Sequence, residues 1–174
     1  MTANVAGPVP RAVAAGVWTI EPARCSARFS VRDKLVATTH GTIPVRSGTV
    51  RLGPAGAVEF ARVELDVAGI DTGNRHRDRD LRKPGFLSAQ EHPVIQVEAG
   101  PSAAGSDRWR AGAVLTARGA RVPVDLHVML TAVDEGSAGV RITGRLDRTG
   151  LGMKVPTFIV GRMIDIEVDA VFRR

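Results

Sequence analysis

The chain has 174 residues, of which 44% are hydrophobic and 24% charged, and its formal net charge is +6. That length suits one domain with a sizeable core. No run approaches the roughly 18 consecutive apolar residues that a membrane-spanning helix needs, so no membrane span is expected. The single cysteine, Cys25, excludes an internal disulfide and fits a reducing compartment.

The beginning of the chain is expected to be a flexible tail. Residues 1–16 are rich in Ala, Gly and Pro and lack the basic segment and apolar core of a signal peptide. We therefore expect a tail over residues 1–16, one folded domain over residues 17–174 and a cytoplasmic location. A misassigned start would leave export open.

Alternating apolar and polar residues predict a series of strands. In chain order they cover residues 27–32, 38–45, 49–52, 62–67, 94–97, 108–116, 122–130, 140–146 and 164–172. The last of them places Asp165, Glu167 and Asp169 on one face and apolar residues on the other, which is typical of an antiparallel strand wetted on one side.

One segment between two strands does not alternate. A turn-forming cluster over residues 71–74 precedes the densely charged residues 75–83, and Pro84-Gly85 follows. This pattern predicts a short capped helical turn that can close the end of a barrel.

About eight strands with one helical plug indicate a sandwich or a closed barrel. Closure is favoured because the strong strands are apolar on one face and polar on the other, and a closed sheet has no exposed edges. The predicted fold is therefore all-β: an antiparallel, eight-stranded closed barrel with a short helix plugging one end.

The interior of such a barrel is either filled by side chains or hollow enough for one small ligand. Large aromatic residues are few, with five Phe, two Trp and no Tyr. An elongated apolar cavity is therefore one interpretation, and a dry packed core is the other. The expected lining residues are Phe29, Val31, Leu65, Val67, Ile95, Val97, Leu115, Leu126, Val128, Ile142, Leu146, Phe158, Ile166 and Val168.

Several motifs, in order, resemble the YceI family of lipocalin-like barrels, which bind isoprenoid-type lipids. They are Ile70 to Asn74, Arg77-Asp78, Asp80-Leu81-Arg82, Gly85-Phe86-Leu87, His92-Pro93 and, around them, Trp18, Arg28 to Arg32, Gly41 to Ile43, Pro123 to Leu126 and Arg148 to Gly152. The resemblance spans roughly Val17 to Phe172. It implies non-enzymatic binding, transport or storage of a hydrophobic isoprenoid-type lipid, such as a polyprenol or prenyl quinone, without a cofactor.

A polar or phosphorylated head group would need cationic or hydrogen-bonding groups at one mouth of the barrel. The candidates are Asn74, Arg77, Arg82 and Arg148. The alternative for Arg77 and Arg82 is that they pair with Asp71, Asp78 or Asp80 and hold the plug in place.

Three other functions have some basis in the sequence. The arginine excess suggests a nucleic-acid-binding module, but the arginines are scattered and exposed stacking aromatics are missing, so no nucleic acid is expected. An enzyme acting on a small hydrophobic substrate stays open, although no nucleophile elbow or phosphate loop is present. His76, Asp78 and Asp80 would fan apart on a helix, so no metal is expected. A homodimer through an exposed strand face is plausible.

Overall fold

The computed structural model describes residues 13–33, 37–102, 107–155 and 160–174. One helix, α1, covers Arg75–Leu81. The strands are β1 Gly16–Ile20, β2 Ser26–Asp33, β3 Ala37–Ile43, β4 Val45–Leu52, β5 Val58–Asp66, β6 Val94–Ala99, β7 Arg108–Ala117, β8 Ala120–Val133, β9 Ser137–Asp147 and β10 Val160–Arg173.

The sheet is antiparallel and closes on itself. Its order is β1-β4-β5-β6-β7-β8-β9-β10-β2-β3, and β10 also pairs with β1. β1 and β2 both pair with the same side of β10, and on their other side they pair with β4 and β3, respectively. β1 and β2 together therefore form one strand of the barrel, and β3 and β4 together form the next. The predicted eight-stranded closed barrel with one short helix is confirmed.

Prolines explain why two of the barrel strands are broken. A 3-10 turn at Pro22–Arg24 separates β1 from β2, and Pro44 separates β3 from β4. Proline has no backbone N–H to contribute to the ladder. The carbonyl of Pro44 still accepts from the Asp66 N–H at 2.9 Å. The single strand predicted over residues 38–45 is therefore interrupted.

The outer wall carries many of the arginines in cross-strand ion pairs. Arg28 lies 2.6 Å from Glu167 and 2.8 Å from Asp169, and Arg141 also lies 2.8 Å from Asp169. Hydrogen bonds from Arg141 and Arg28 lower the pKa of Asp169. Exposed pairs of this kind add little stability, about 0–1 kcal/mol each. They do neutralise part of the positive charge locally.

One end of the barrel is closed by a packed apolar cluster that includes Trp18, Ile20 and Phe172. Trp18 is only 2% exposed, and its Nε1 donates to the Ala14 carbonyl at 2.9 Å. Val13 also packs against this cluster, whereas residues 1–12 of the predicted tail lie outside the described residues. No helix in the described part of the chain is long and apolar enough to cross a membrane.

A glycine makes room for the aromatic side chain of Phe29 in the barrel wall. Gly41 on β3 pairs with Phe29 on β2, and a Cβ atom built on Gly41 would overlap the Phe29 ring. The absence of a side chain at residue 41 thus sets the position of the ring.

Replacing Gly41 with alanine should lower the free energy of unfolding by about 1–3 kcal/mol, because the added Cβ would occupy the place of the Phe29 ring and force the ring to move. Urea denaturation of the single variants and of the double variant Gly41→Ala/Phe29→Leu measures the coupling. A cost for Gly41→Ala that is unchanged when Phe29→Leu is already present would contradict the overlap as its cause.

Candidate functional site

The plug between β5 and β6 is built on a capped helix, as predicted. Asn74 is the N-cap of α1, and its Oδ1 accepts from the Arg77 N–H at 3.0 Å. Before the cap, Asp71 forms a backbone bridge with Thr42 on β3. The plug is thereby tied to β3, whose other edge pairs with β2.

The underside of the plug is apolar. Val67, Ile70 and Leu87 are buried and form one cluster. Five partly buried residues pack against it: Phe29, Leu81, Ala89, Ile95 and Met153. The plug therefore covers this end of the barrel with hydrocarbon, and Phe29 and Ile95 lie where it meets the interior.

Arg77 and Asp78 are joined through one threonine. Arg77 donates from Nε to Thr72 Oγ1 at 2.8 Å and from Nη2 to the Thr72 carbonyl at 2.9 Å. The carboxylate of Asp78, which is buried, accepts from the Thr72 N–H at 2.9 Å and from its hydroxyl. Arg77 and Asp78 thus brace the turn that precedes α1.

Arg82 braces the start of the same segment. Its Nε and Nη2 donate to the carbonyls of Ala68 and Ile70 at 2.9 and 3.1 Å. Within the described ranges no ion pair joins Arg77 or Arg82 to Asp71, Asp78 or Asp80. The predicted pairing with acidic residues is therefore wrong, because the guanidinium groups of Arg77 and Arg82 donate to backbone carbonyls and to Thr72 instead. Contact of Arg77 and Arg82 with a ligand stays a prediction.

The acidic residues of α1 do not converge. Asp80 lies 2.6 Å from Lys83 and 3.7 Å from His76, on the opposite side from buried Asp78. The hydrogen bond from Lys83 lowers the pKa of Asp80. Over the described ranges, no group of three or more His, Cys, Asp or Glu side chains could hold a metal ion.

Arg148, the fourth predicted mouth residue, is buried and 3% exposed. Its Nε donates to the Gly161 carbonyl at 2.7 Å, Nη1 donates to Val155 at 3.1 Å, and Nη2 donates to Val160. Burial lowers the pKa of the guanidinium. Arg148 therefore fixes both sides of the connection from β9 to β10, of which residues 156–159 lie outside the described residues.

Arg118 is a residue that the sequence analysis missed. It lies in the tight turn between β7 and β8 with a φ of 48°, a region that favours glycine or asparagine. Its guanidinium donates to the carbonyls of Pro84 in the plug at 3.0 Å and Leu151 after β9 at 3.2 Å. Arg118 thus links the plug to the β9–β10 connection, and the Lys154 N–H adds a second link to Gly85 at 3.2 Å.

Replacing Arg118 with methionine should speed amide hydrogen exchange in the plug by about fivefold or more, since loss of one or two hydrogen bonds costs about 1–3 kcal/mol locally. Arg121→Met, at an exposed position after the same turn, is the control. Equal exchange of the Leu87 and Ala89 amides in both variants would contradict the link.

Cys25 has the environment of a packing residue. Its Sγ donates to the Glu21 carbonyl at 3.0 Å and accepts from the Val171 N–H at 3.4 Å. Burial raises the pKa of this thiol. A raised pKa disfavours the thiolate that a nucleophile needs.

The predicted lining residues fall into two groups. Four of them are buried in packed clusters: Val67, Leu115, Leu126 and Leu146. Nine keep accessible surface: Phe29, Val31, Leu65, Ile95, Val97, Val128, Ile142, Ile166 and Val168. Phe158 lies outside the described residues. Eight of the nine, all except Val31, also pack against one or more of the three core clusters, so their accessible surface is partial.

The half-buried group comes from opposite walls. Val128, Ile142 and Val168 form one cross-strand row over β8, β9 and β10. Ile95 and Leu65 pair on β6 and β5, which in the order of the closed barrel lie opposite β10 and β9. These side chains therefore face one another across the middle of the barrel, between the closed end and the plug.

The chain is similar to known proteins over nearly its whole length. The YceI-like domain family matches residues 18–172. No curated protein sequence matches the chain significantly.

Solved structures share the fold at low identity. Burkholderia cenocepacia BcnA is 17% identical with a TM-score of 0.74, covering 87% of this chain and 98% of that chain. A polyisoprenoid binding domain from Saccharophagus degradans, implicated in plant cell wall breakdown, is 10% identical with a TM-score of 0.70 and coverages of 90% and 97%. The Campylobacter jejuni YCEI protein is 16% identical with a TM-score of 0.69 and coverages of 80% and 86%. With its closed barrel, its plug motif and a family match from residue 18 to residue 172, the chain belongs to the YceI-like domain family.

Proposed function

We propose that the protein binds a hydrophobic isoprenoid-type lipid, such as a polyprenol or a prenyl quinone, inside the barrel and transports or stores it without converting it. The observation that carries the proposal is the set of half-buried, inward-facing apolar side chains on opposite walls. The family match and the similarity to a polyisoprenoid binding domain support the same ligand class.

The lining suits a hydrocarbon chain because all nine half-buried residues are apolar. Each methylene group buried against them contributes about 0.8 kcal/mol. A long prenyl chain therefore binds without directed polar contacts. The polar head group of the ligand stays at the plug end, where Asn74, Arg77, Arg82 and Arg148 remain the predicted contacts.

The alternative of nucleic-acid binding is less well supported. Arg28 and Arg141 are engaged by carboxylates on β10, which reduces the positive potential of that wall. Salt separates the two functions, because phosphate-backbone binding falls steeply with ionic strength whereas uptake of a neutral lipid does not.

The cytoplasmic location is part of the proposal, and cell fractionation tests it. The homodimer stays a prediction.

Native mass spectrometry of protein purified from its own source tests the proposal. We expect an added mass that is released by denaturation and extracted as a prenyl lipid, and we expect stripped protein to bind ubiquinone or a polyprenol with a stoichiometry of about one, as the single interior implies. A matched measurement with palmitate tests whether the site prefers isoprenoids. No lipid in the purified protein and no uptake of any added prenyl compound would contradict the proposal.

A further inference from the structure

The outer side of the plug carries a row of exposed cations. Arg75 and Arg79 lie four residues apart on α1, so they share one face of the helix. Another face of α1 points into the protein, because Asp78 is buried and Leu81 packs against the apolar cluster beneath the plug. Both arginines are exposed, and Lys83 is exposed just beyond the end of the helix. The plug therefore presents positive charge on its outer side.

Two neighbouring loops add cations to the same end of the barrel. The Lys154 N–H donates to the Gly85 carbonyl at 3.2 Å, which places Lys154 beside the plug. Arg121 lies three residues after Arg118, whose guanidinium donates to the Pro84 carbonyl in the plug at 3.0 Å. Lys154 and Arg121 are both exposed. We call the exposed cations of this end the plug-end surface, and they are Arg75, Arg79, Lys83, Arg121 and Lys154.

Exposed carboxylates are fewer than cations at this end. In the described plug, Asp71 and Glu91 are exposed, whereas Asp80 is half-buried and lies 2.6 Å from Lys83. Residues 117–122 and 148–155, which form the two loops, contain no acidic residue. The other four cations of the plug-end surface form no ion pair with a carboxylate of the described part of the chain. The plug-end surface is therefore positive, like the chain as a whole, whose formal net charge is +6.

A lipid surface with anionic head groups is complementary to this arrangement. Cations gathered at one end of a protein are attracted to such a surface within about one Debye length. The plug also covers the apolar interior, with Val67, Ile70 and Leu87 on its inner side, and a membrane is a source of apolar molecules. A second copy of the chain would set like charges against each other. Single-stranded nucleic acid would find no exposed aromatic side chain for stacking among the described residues of this end.

We propose that the plug-end surface docks the barrel onto membranes that contain anionic lipids, with the plug facing the bilayer. Its guanidinium and ammonium groups donate charge-assisted hydrogen bonds to the phosphate and carboxylate groups of the lipids. The purpose of docking, exchange of a prenyl lipid between bilayer and barrel, rests on the proposed function, whereas the docking itself does not. The contact is peripheral and reversible, because each cation near such a surface contributes only about fivefold in affinity.

Sedimentation of the full chain with lipid vesicles tests the docking. The vesicles are phosphatidylcholine with phosphatidylserine, and phosphatidylcholine alone. We expect the protein to sediment with the phosphatidylserine vesicles and to bind the uncharged vesicles at least tenfold more weakly. Binding should also weaken steeply as salt is added, because salt screens exposed charges.

Two double variants that lose the same amount of charge show whether the location matters. Arg75→Gln/Arg79→Gln should weaken binding to phosphatidylserine vesicles about tenfold or more, since both lost cations lie on the plug-end surface. Arg51→Gln/Arg110→Gln is the matched control and should weaken binding no more than about twofold by lowering the net charge. Arg51 and Arg110 are exposed at the far end of the barrel, because Arg51 pairs with Phe60 near the start of β5 and Arg110 lies near the start of β7. Circular dichroism confirms that each variant is folded.

The outcomes of the docking and lipid-uptake measurements are separable. Absence of binding to phosphatidylserine vesicles, or equal weakening in the two double variants, would overturn the docking proposal. Tighter binding of DNA than of vesicles through the same two arginines would also overturn it and favour a nucleic-acid partner. Ubiquinone titration of the stripped protein is done in parallel. Docking without uptake would support the plug-end surface and contradict only the lipid-binding proposal, whereas uptake without docking would contradict only the docking.

Discussion

Replacing Arg148 with alanine should lower the free energy of unfolding by about 3–5 kcal/mol. The guanidinium is 3% exposed and donates to the carbonyls of Val155, Val160 and Gly161. The alanine variant would leave these carbonyls without that donor in a buried setting, at a cost of about 1–3 kcal/mol for each group left unsatisfied. Urea denaturation followed by circular dichroism measures the loss.

Two control variants separate burial from charge. Arg162→Ala removes an exposed guanidinium that lies 2.6 Å from Asp147, and it should cost no more than about 1 kcal/mol. Arg148→Lys keeps the charge but replaces the planar guanidinium with a single ammonium group, which cannot reach all three carbonyls. This variant should therefore remain clearly destabilised. If Arg148→Ala is as stable as Arg162→Ala, Arg148 is not a scaffold residue.

The strand faces could be predicted from sequence because they depend on local alternation. Val122, Val124 and Leu126 of β8 face inward as their period of two requires. The antiparallel pairing also follows locally, since each polar outer face indicates a sheet wetted on one side. The capped helix is equally local, because Asn74 caps a turn only three residues away.

The partners of the arginines could not be predicted. Arg118 reaches carbonyls at Pro84 and Leu151, both more than thirty residues away. Every residue has a backbone carbonyl, so the sequence does not indicate which carbonyls an arginine will contact. The sequence therefore suggested carboxylates as partners for Arg77 and Arg82, whereas the fold supplies backbone groups and Thr72.

The division of the interior also depends on the whole barrel. Leu126 and Val128 alternate identically on β8, yet Leu126 is 7% exposed and Val128 keeps more surface. The two residues differ in their position along the barrel axis, and therefore in which side chains of the opposite wall and of the plug lie next to them. Strand stagger and closure set that position, and neither can be read from a single strand.

A pair of phenylalanine substitutions should distinguish a hollow interior from a packed one. Val124 is 3% exposed and pairs with Ala113 within a packed cluster. Val168 is half-buried and lies between Ile142 and the small side chain of Ala27. Both substitutions add the same volume, so the surroundings alone decide the outcome.

Val124→Phe should lower the free energy of unfolding by about 1–3 kcal/mol, because overpacking forces neighbouring side chains to move. If the interior is hollow, as the proposed lipid site requires, Val168→Phe should cost less than about 1 kcal/mol, because the ring then gains apolar contact without displacing its neighbours. The same ring should displace a bound prenyl chain and weaken uptake of ubiquinone about tenfold or more, equivalent to the burial of about two methylene groups. Urea denaturation and ubiquinone titration of the same two proteins measure both effects. Equal destabilisation by both substitutions, with ubiquinone uptake unchanged in Val168→Phe, would mean that the middle of the barrel is a dry packed core, and that any lipid binds elsewhere on the protein.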